Sequence, residues 1–500
     1  DTLLDRFVFR GPQVVLDVRP GLLPESEYDI PSLFIPYLKL FPHRIHYSQF
    51  FSILWVGEGK ERAPILLLDQ APLSPNDLSQ TILTDKEPGQ HAAPLASASS
   101  LAQAWPQARP IRQLNWLWQI AHLWDDFISH GVGQSLISPA LLRVEGPLIR
   151  ILELHNDLPA APPTLSNLGA MLSKFKSLTP GSLNFLFSEL CDDLISEKIK
   201  NTQELIKSLE EAIFTCQNSH SLNINLATLT DPGVVRKHNE DQCFPPSGSY
   251  FQSSPNSTDS LLIVCDGVGG HAGGEVASAT AIEALKEHLG NLILDTLSPN
   301  KIKQELIKAS CHANDLISQR NDEEQRQERA RMGTTLVMAL VHNQQLYITH
   351  IGDSRAYLIT KVGCYQLTVD DDIASREVRL GYLPYHEALR QPTSGSLVQA
   401  LGMASSQTLH PTVQRFILDD ECILLLCSDG LSDYDRVEEL WQEELLPLLY
   451  RNYDLASVSE RLISLANHLN GHDNITVGIM SISRGQRAGE TAATVKTRKC

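Results

Sequence analysis

Four aspartates in the C-terminal half of the chain stand where a carboxylate is costly. Asp266 follows the run Leu-Leu-Ile-Val-Cys and precedes Gly267, and Asp429 follows Ile-Leu-Leu-Leu-Cys-Ser and precedes Gly430. Asp353 follows Leu-Tyr-Ile-Thr-His-Ile-Gly, and Asp473 precedes Asn474 and the run Ile-Thr-Val-Gly-Ile. Each run has the length and composition of a buried strand. A carboxylate beside such a core must be hydrogen-bonded, paired or bound to a cation, and few basic residues adjoin these positions. Carboxylates converging from strand ends suit hard divalent ions, which take oxygen ligands. Asp before Gly is also a common turn former, and singly each aspartate reads better that way. Four of them, with the Glu240-Asp241 pair upstream, favour a cation site.

The elements that would position these carboxylates alternate β-like runs with helices between Ser221 and Ser483. Leu261–Cys265, Thr335–Val341, Gln345–Ile351, Tyr357–Ile359, Cys422–Cys427 and Ile475–Ile482 are short, aliphatic and bounded by Gly, Asp or Asn, which predicts strands. The spacing predicts helices over Glu275–Leu289 and Lys301–Arg320. Strands outnumber helices, so sheets packed together with helices outside are expected.

At 500 residues the chain is too long for one core. Residues 1–180 are expected to form an N-terminal regulatory or partner-binding domain, 181–220 a helical connector, 221–484 the domain carrying the aspartates, and 485–500 a disordered tail. Within the first, Gln13–Val18 and Ile65–Leu68 read as strands, and Ile111–Ile128 as a helix with a wide apolar face. The net charge of −18 argues against nucleic-acid or anionic-membrane partners, whose phosphates must meet Lys and Arg. Nine cysteines with no Cys-x-x-Cys pair give no zinc-ribbon pattern and read as buried thiols of a reducing, cytoplasmic compartment. No apolar stretch of membrane-spanning length occurs, and no leader is read at the start, although the first residue is Asp1 rather than methionine. A monomer is the default expectation.

Six segments resemble the motifs of the PP2C-type, metal-dependent protein phosphatases, in the family's order. They are Thr230–Asp241 (TDPGVVRKHNED), Val264–Ser278 (VCDGVGGHAGGEVAS), Met332–Thr335 (MGTT), Gly352–Arg355 (GDSR), Cys427–Asp433 (CSDGLSD) and Gly471–Thr476 (GHDNIT). Any one alone is weak, but six in order over 221–484 is a specific signal. The resemblance implies an α+β fold, a β-sandwich of two antiparallel sheets flanked by helices, and a separate mixed α/β domain is expected ahead of it. It also implies two Mn²⁺ or Mg²⁺ ions and hydrolysis of phosphoserine and phosphothreonine in protein partners, with a place in signal transduction. Carried over by position, Asp266 corresponds to a carboxylate bridging both ions, and the Gly267 carbonyl with Glu240 and Asp241 completes one side. Asp429 and Asp473 correspond to ligands of the partner ion, Arg236 to the arginine on substrate phosphate, and Asp353 to a third, weaker metal site.

The chain departs from the family pattern in places. Val268 stands where many members have His or Met. His238 and His271 are candidate proton donors, with plain loop residues the favoured reading. Asp370-Asp371-Asp372 replaces Asp-His-Ser and reads either as help for the third metal through Asp370 or as a solvated acidic loop. Residues 373–396 align poorly with the family's flap. Upstream, His130–Glu153 resembles a protein-kinase catalytic loop, but the catalytic aspartate is missing, Leu141 stands near the place of the metal-binding asparagine, and no Gly-rich loop precedes it, so an active kinase is not expected, and a degenerate kinase-like scaffold and an unrelated α/β regulatory module are the two readings. Two alternatives to a protein phosphatase are a non-catalytic scaffold of the same fold and a phosphatase of a small metabolite. The scaffold would be expected to lack Asp266, Asp429 or Asp473, and all three are present.

Overall fold

A computed structural model describes residues 2–484 except 4–5, 11–12, 20–21, 23–29, 57–62, 75–76, 78–97, 180, 218–221, 253–259, 269–272 and 451–452. His271 and the expected tail 485–500 therefore lie outside the described residues. The chain divides into two compact units, one of residues 1–216 with 372–396, the other of 217–371 with 397–500.

The first unit opens with a small antiparallel sheet of β1 (Thr2–Leu3), β2 (Phe7–Phe9) and β3 (Val15–Asp17). Then come the short helix α1 (Ile35–Lys39), a 3₁₀ segment Phe41–His46, and the hairpin β4 (Gln49–Val56) with β5 (Ala63–Asp69). Next are β6 (Ser99–Ser100), α2 (Leu101–Ala104) and α3 (Pro110–Ser129), followed by the hairpin of β7 (Leu142–Glu145) and β8 (Leu148–Ile151). Pro110 starts α3 at the position where its missing N–H costs nothing. Leu114, Trp116, Leu117, Trp118, Ile120, Leu123 and Trp124 of α3 are all buried, so its tryptophans are core. Helices α4 (Leu165–Leu172), α5 (Gly181–Ile195) and α6 (Thr202–Gln217) complete this part.

His46 is buried in this unit, with its Nδ1 against the Ile149 carbonyl at 2.9 Å. Burial, opposed by that hydrogen bond and helped by the charges of His43 and Arg150, holds its pKa at about 3. The unfolded chain, near the ordinary 6.5, binds a proton that the folded chain refuses. Stability is therefore fully present above pH 6.5 and is lost as pH falls toward 3. Each pH unit below 6.5 is expected to cost on the order of 1.4 kcal/mol. Melts at pH 7.5, 6.5 and 5.5 check this, because His46→Gln should flatten the acid slope by that amount.

The second unit is a sandwich. One sheet runs β10 (Gln242–Phe244), β12 (Ser260–Cys265), β15 (Leu336–His342), β16 (Gln345–Ile351) and β19 (Thr412–Ile417). The other runs β11 (Tyr250–Gln252), β9 (Leu222–Asp231), β21 (Ile475–Arg484), β20 (Cys422–Cys427), β17 (Arg355–Ile359) and β18 (Cys364–Gln366). Every pairing in both sheets is antiparallel. Two two-residue strands, β13 (Gly267–Val268) and β14 (Gly333–Thr334), pair beside the sandwich. Helices α7 (Gly274–Gly290) and α8 (Pro299–Glu323) cover the first sheet, while α11 (Asp429–Ser432), α12 (Arg436–Glu444) and α13 (Leu455–Leu469) belong with the second.

Side-chain alternation explains the layering. On β20, Ile423, Leu425 and Cys427 join the cluster that contains Val458, Leu462 and Ala466 of α13. Leu424 and Leu426 are equally buried and point the other way. On β15, Leu336, Met338 and Leu340 meet Ala281 and Leu285 of α7 and Leu306 of α8. A strand covered on both faces reads as an unbroken apolar run, as both do. No helix among the described residues is long and apolar enough to cross a membrane.

Residues 372–396 leave the sandwich sequence and fold with the first unit, as α9 (Ile373–Leu380) and α10 (Tyr385–Ala388). Asp372 caps α9 by accepting from the Ser375 N–H, and Gly381 closes it in the left-handed region at φ 85°.

Candidate metal centre

Asp266 leaves β12 on a backbone fixed from both sides. Its N–H donates to Thr335 Oγ1 at 3.0 Å, and its carbonyl accepts from the Thr335 N–H at 2.8 Å and the Thr334 hydroxyl at 2.9 Å. Gly267 is required next, because a Cβ there would lie 2.5 Å from the carbonyl oxygens of both Glu240 and Gly274. The Glu240 side chain reaches the start of α7, lying within 2.7 Å of where a Gly274 Cβ would be. Partial positive charge at a helix N-terminus favours a carboxylate there.

Asp241 is buried, and its Oδ2 accepts from the Thr476 hydroxyl at 2.8 Å. Its Oδ1 makes no hydrogen bond, nor does Oδ1 of Asp429 at the start of α11. Asp473 pairs with the half-exposed Arg236, Nη2 to Oδ2 at 2.5 Å. The loops carrying this pair are tied by Asn474, whose side chain donates to the carbonyls of Pro232 and His238 and accepts from the Glu240 N–H. Gly430 is forced by the same packing, since a Cβ would lie 2.0 Å from the Asn474 carbonyl oxygen.

The carboxylates act on one another. Burial raises the Asp266 carboxyl well above its ordinary range, and the charges of Asp241, Asp429, Asp353 and Asp473 raise it further. Burial pushes Asp241 up to about 6, against hydrogen bonds that lower it. Burial also pushes Asp429 up to about 7, with added repulsion from Asp433, Asp473 and Asp241. Burial, then Asp429 and Asp370, raise Asp353. Asp266, Asp353 and Asp429 nevertheless keep partial exposure.

The structure thus brings together Asp241, Asp266, Asp353, Asp429 and Asp473, with Arg236 and Glu240 beside Asp473. They are neighbours rather than a closed cage: among the described residues no three His, Cys, Asp or Glu groups already enclose an ion. The donor set fits hard divalent cations all the same. All the donors are oxygens, and two buried ones lack a hydrogen-bond partner, which is costly unless a cation meets them.

Asp370-Asp371-Asp372 is not a solvated loop, because all three residues are buried. Asp370 takes both oxygens to Arg355, at 2.7 Å from Nη2 and 3.0–3.2 Å from Nε, so its charge is engaged by a guanidinium. Asp371 accepts from the Gly352 N–H and from Gln399 Nε2. Arg355 also donates to the Ser432 carbonyl and the Tyr357 hydroxyl, both at 3.3 Å. The sequence reading passed over this arginine and over Thr334, Thr335 and Asn474, although each stands inside a quoted motif. Their signal was a polar residue beside a strand-end aspartate. Cys265 is fully buried, and burial raises its thiol far above the ordinary value, so it is no thiolate nucleophile.

A family model described as Protein phosphatase 2C matches residues 233–378. The serine/threonine phosphatase stp of Listeria monocytogenes serotype 4b (strain F2365) is 34% identical over 248 residues, covering 50% of this chain and 92% of that protein. The protein phosphatase PhpP of Streptococcus pneumoniae serotype 2 (strain D39 / NCTC 7466) is 30% identical over 261 residues, covering 52% and 98%. A crystal structure of the Mycobacterium tuberculosis serine/threonine phosphatase PstP/Ppp matches with 30% identity over 52% of this chain and 99% of its own, at a TM-score of 0.42. One of the PstP catalytic domain in complex with two manganese ions matches with 30% identity over 53% and 100%, at 0.41. The similarity falls on about half of this chain and on nearly the whole length of the two phosphatases from Listeria and Streptococcus, and the chain belongs to the protein phosphatase 2C family.

Proposed function

We propose that this chain is a metal-dependent protein serine/threonine phosphatase that hydrolyses phosphoserine and phosphothreonine in protein substrates, with a role in signal transduction. One observation carries the reading: carboxylates from separate strand ends crowd around Asp266, two with an unpartnered oxygen, beside a half-exposed arginine. The curated relatives named above are serine/threonine or protein phosphatases, which supports it.

In this reading Asp241, Asp266, Asp429 and Asp473, with Glu240 and the Gly267 carbonyl, would hold two Mn²⁺ or Mg²⁺ ions, and Asp353 would serve a third, weaker one. When bound, such ions supply Lewis acidity and make a water acidic enough to act near neutral pH. The protein's part is to hold and orient. Thr334 and Thr335 fix the Asp266 backbone, and Asn474 holds the loops of Arg236, Glu240 and Asp473 in one arrangement. The planar fork of Arg236 can take two oxygens of the substrate phosphoryl group and meet the charge that grows there. Asp473 already orients that fork.

Arg236→Ala is expected to lower kcat/KM for a phosphothreonine peptide by about 10- to 100-fold, the worth of a charge-assisted hydrogen-bond pair. Arg236→Lys should recover only part, since a point charge lacks the fork. Steady-state kinetics on the three proteins test this, and equal rates would remove the arginine from the phosphate site.

For residues 1–180 we infer a regulatory or partner-binding role; the expected connector 181–220 folds with them instead, since α5 and α6 belong to the first unit and Thr202 donates to Asp125 of α3. The order of α3, a 3₁₀ turn at Gly133–Ile137 and the β7–β8 hairpin supports a degenerate kinase-like relation. A cytoplasmic, monomeric protein is our working reading.

A further inference from the structure

A segment of the phosphatase sequence is built into the other unit. Residues 372–396 lie between two stretches of the sandwich, yet they pack with residues 1–216. The packing is specific. The Tyr385 ring meets Phe41 at 5.1 Å between centroids, and Arg44 lies over both rings. His386 stacks on Phe51 of β4 at 5.1 Å, and Gly381 lies against Ile35 and Lys39 of α1. Ala374, Ser375, Val378 and Ala388 are buried.

The segment leaves and returns through a tight neck. On the far side of the neck, Ile373 N–H donates to the Ser396 carbonyl and Ala374 N–H to that of Ser394. On the sandwich side, Val398 N–H donates to the Asp371 carbonyl at 2.7 Å, and Asp371 N–H to the Gly352 carbonyl at 2.9 Å. Gly352 precedes Asp353, and Asp370 holds Arg355. The neck is thus hydrogen-bonded directly to the loop that carries one of the site's carboxylates. Ordered elements with paired ends transmit displacement, whereas a slack linker does not.

We propose that residues 1–216 regulate the phosphatase centre by anchoring the 372–396 segment, whose neck sets the loop Gly352–Arg355. The receptor is the face formed by α1, the 3₁₀ segment Phe41–His46 and β4. Its ligand is this chain's own α9–α10. A signal that reshapes that face would change activity without touching a metal ligand. The inference rests on the phosphatase reading for its consequence, but its structural half stands apart from it.

The test uses the full chain with Tyr385→Ala and Tyr385→Phe. Phenylalanine keeps the ring contacts with Phe41 and Arg44, and alanine removes them. Two readouts are taken: hydrogen exchange at residues 351–355 and 370–372, and kcat/KM on a phosphothreonine peptide with Mn²⁺. Expected are faster exchange at both stretches and a threefold to tenfold loss of kcat/KM in Tyr385→Ala, with Tyr385→Phe nearer to the wild-type chain than to Tyr385→Ala in both. Wild-type exchange and kinetics in Tyr385→Ala would overturn the proposal. If that variant does not fold, His386→Ala removes the Phe51 contact instead and is judged in the same way. A wild-type chain with no hydrolysis would sink the phosphatase reading, and the exchange at the neck would still decide the coupling.

Discussion

Asp266→Asn is expected to melt higher than the wild-type chain in the absence of divalent ions while losing at least about a thousandfold in phosphatase activity. The two effects have one cause. Burial is the largest part of the cost of charging Asp266, and the field of Asp241, Asp429, Asp353 and Asp473 adds to it. Asparagine keeps the shape and removes both the buried charge and the repulsion, so the metal-free fold gains. A gain on the order of 1 kcal/mol would raise Tm by about 2–4 °C in a domain of this size. The same change deletes the central carboxylate of the proposed ion pair, and metal assistance is worth several kcal/mol of barrier. Residues kept at a cost to stability are a mark of functional sites. Calorimetry in EDTA and peptide hydrolysis in Mn²⁺ check the pair. A variant that is less stable and equally active would remove Asp266 from the centre.

The second large effect is a stability that depends on pH and metal together. Asp241 and Asp429 are raised to about 6 and about 7 from an ordinary 3.8. Between those values the folded chain holds protons that the unfolded chain has released. Their contribution is fully present below pH 3.8 and is lost as pH rises through 6 to 7. The metal-free second unit should therefore melt lower at pH 8 than at pH 5. Mn²⁺ at about 100 times its Kd should return about 2.7 kcal/mol per site, and its affinity should rise with pH because binding displaces protons. His46, in the other unit, slopes the opposite way. Asp429→Asn separates the two, since it removes its share of the alkaline loss and leaves the acid loss intact. Melts from pH 5 to 8 in EDTA and in Mn²⁺ measure both, and an alkaline slope in EDTA that Asp429→Asn leaves unchanged, or a transition that Mn²⁺ does not raise, would contradict the account.

These expectations trace to features that differ in how far the sequence discloses them. Strands such as Gln345–Ile351 and Cys422–Cys427 are buried almost throughout, so their ends, with Asp353 and Asp429 just beyond, can be read directly. Gly267 and Gly430 are readable as tight turns, but that backbone oxygens of Glu240, Gly274 and Asn474 fill the space of their missing Cβ atoms depends on contacts between separate segments of the chain. The acidic triplet shows the limit more sharply. Three consecutive aspartates look solvated by composition, yet one is neutralised by Arg355, one is hydrogen-bonded to Gly352 and one caps a helix. Nothing local in Asp370–Asp372 announces those partners. The placement of 372–396 was equally hidden, because Tyr385 and His386 find Phe41 and Phe51 across more than three hundred residues of sequence.

The most direct test of the central claim is hydrolysis of a phosphothreonine peptide by the full chain in Mn²⁺, in Mg²⁺ and in EDTA. Turnover with an added ion that stops in EDTA and returns when the ion is restored is the predicted result. Turnover that persists in EDTA, or its absence in folded protein shown to bind Mn²⁺, would contradict a metal-dependent phosphatase.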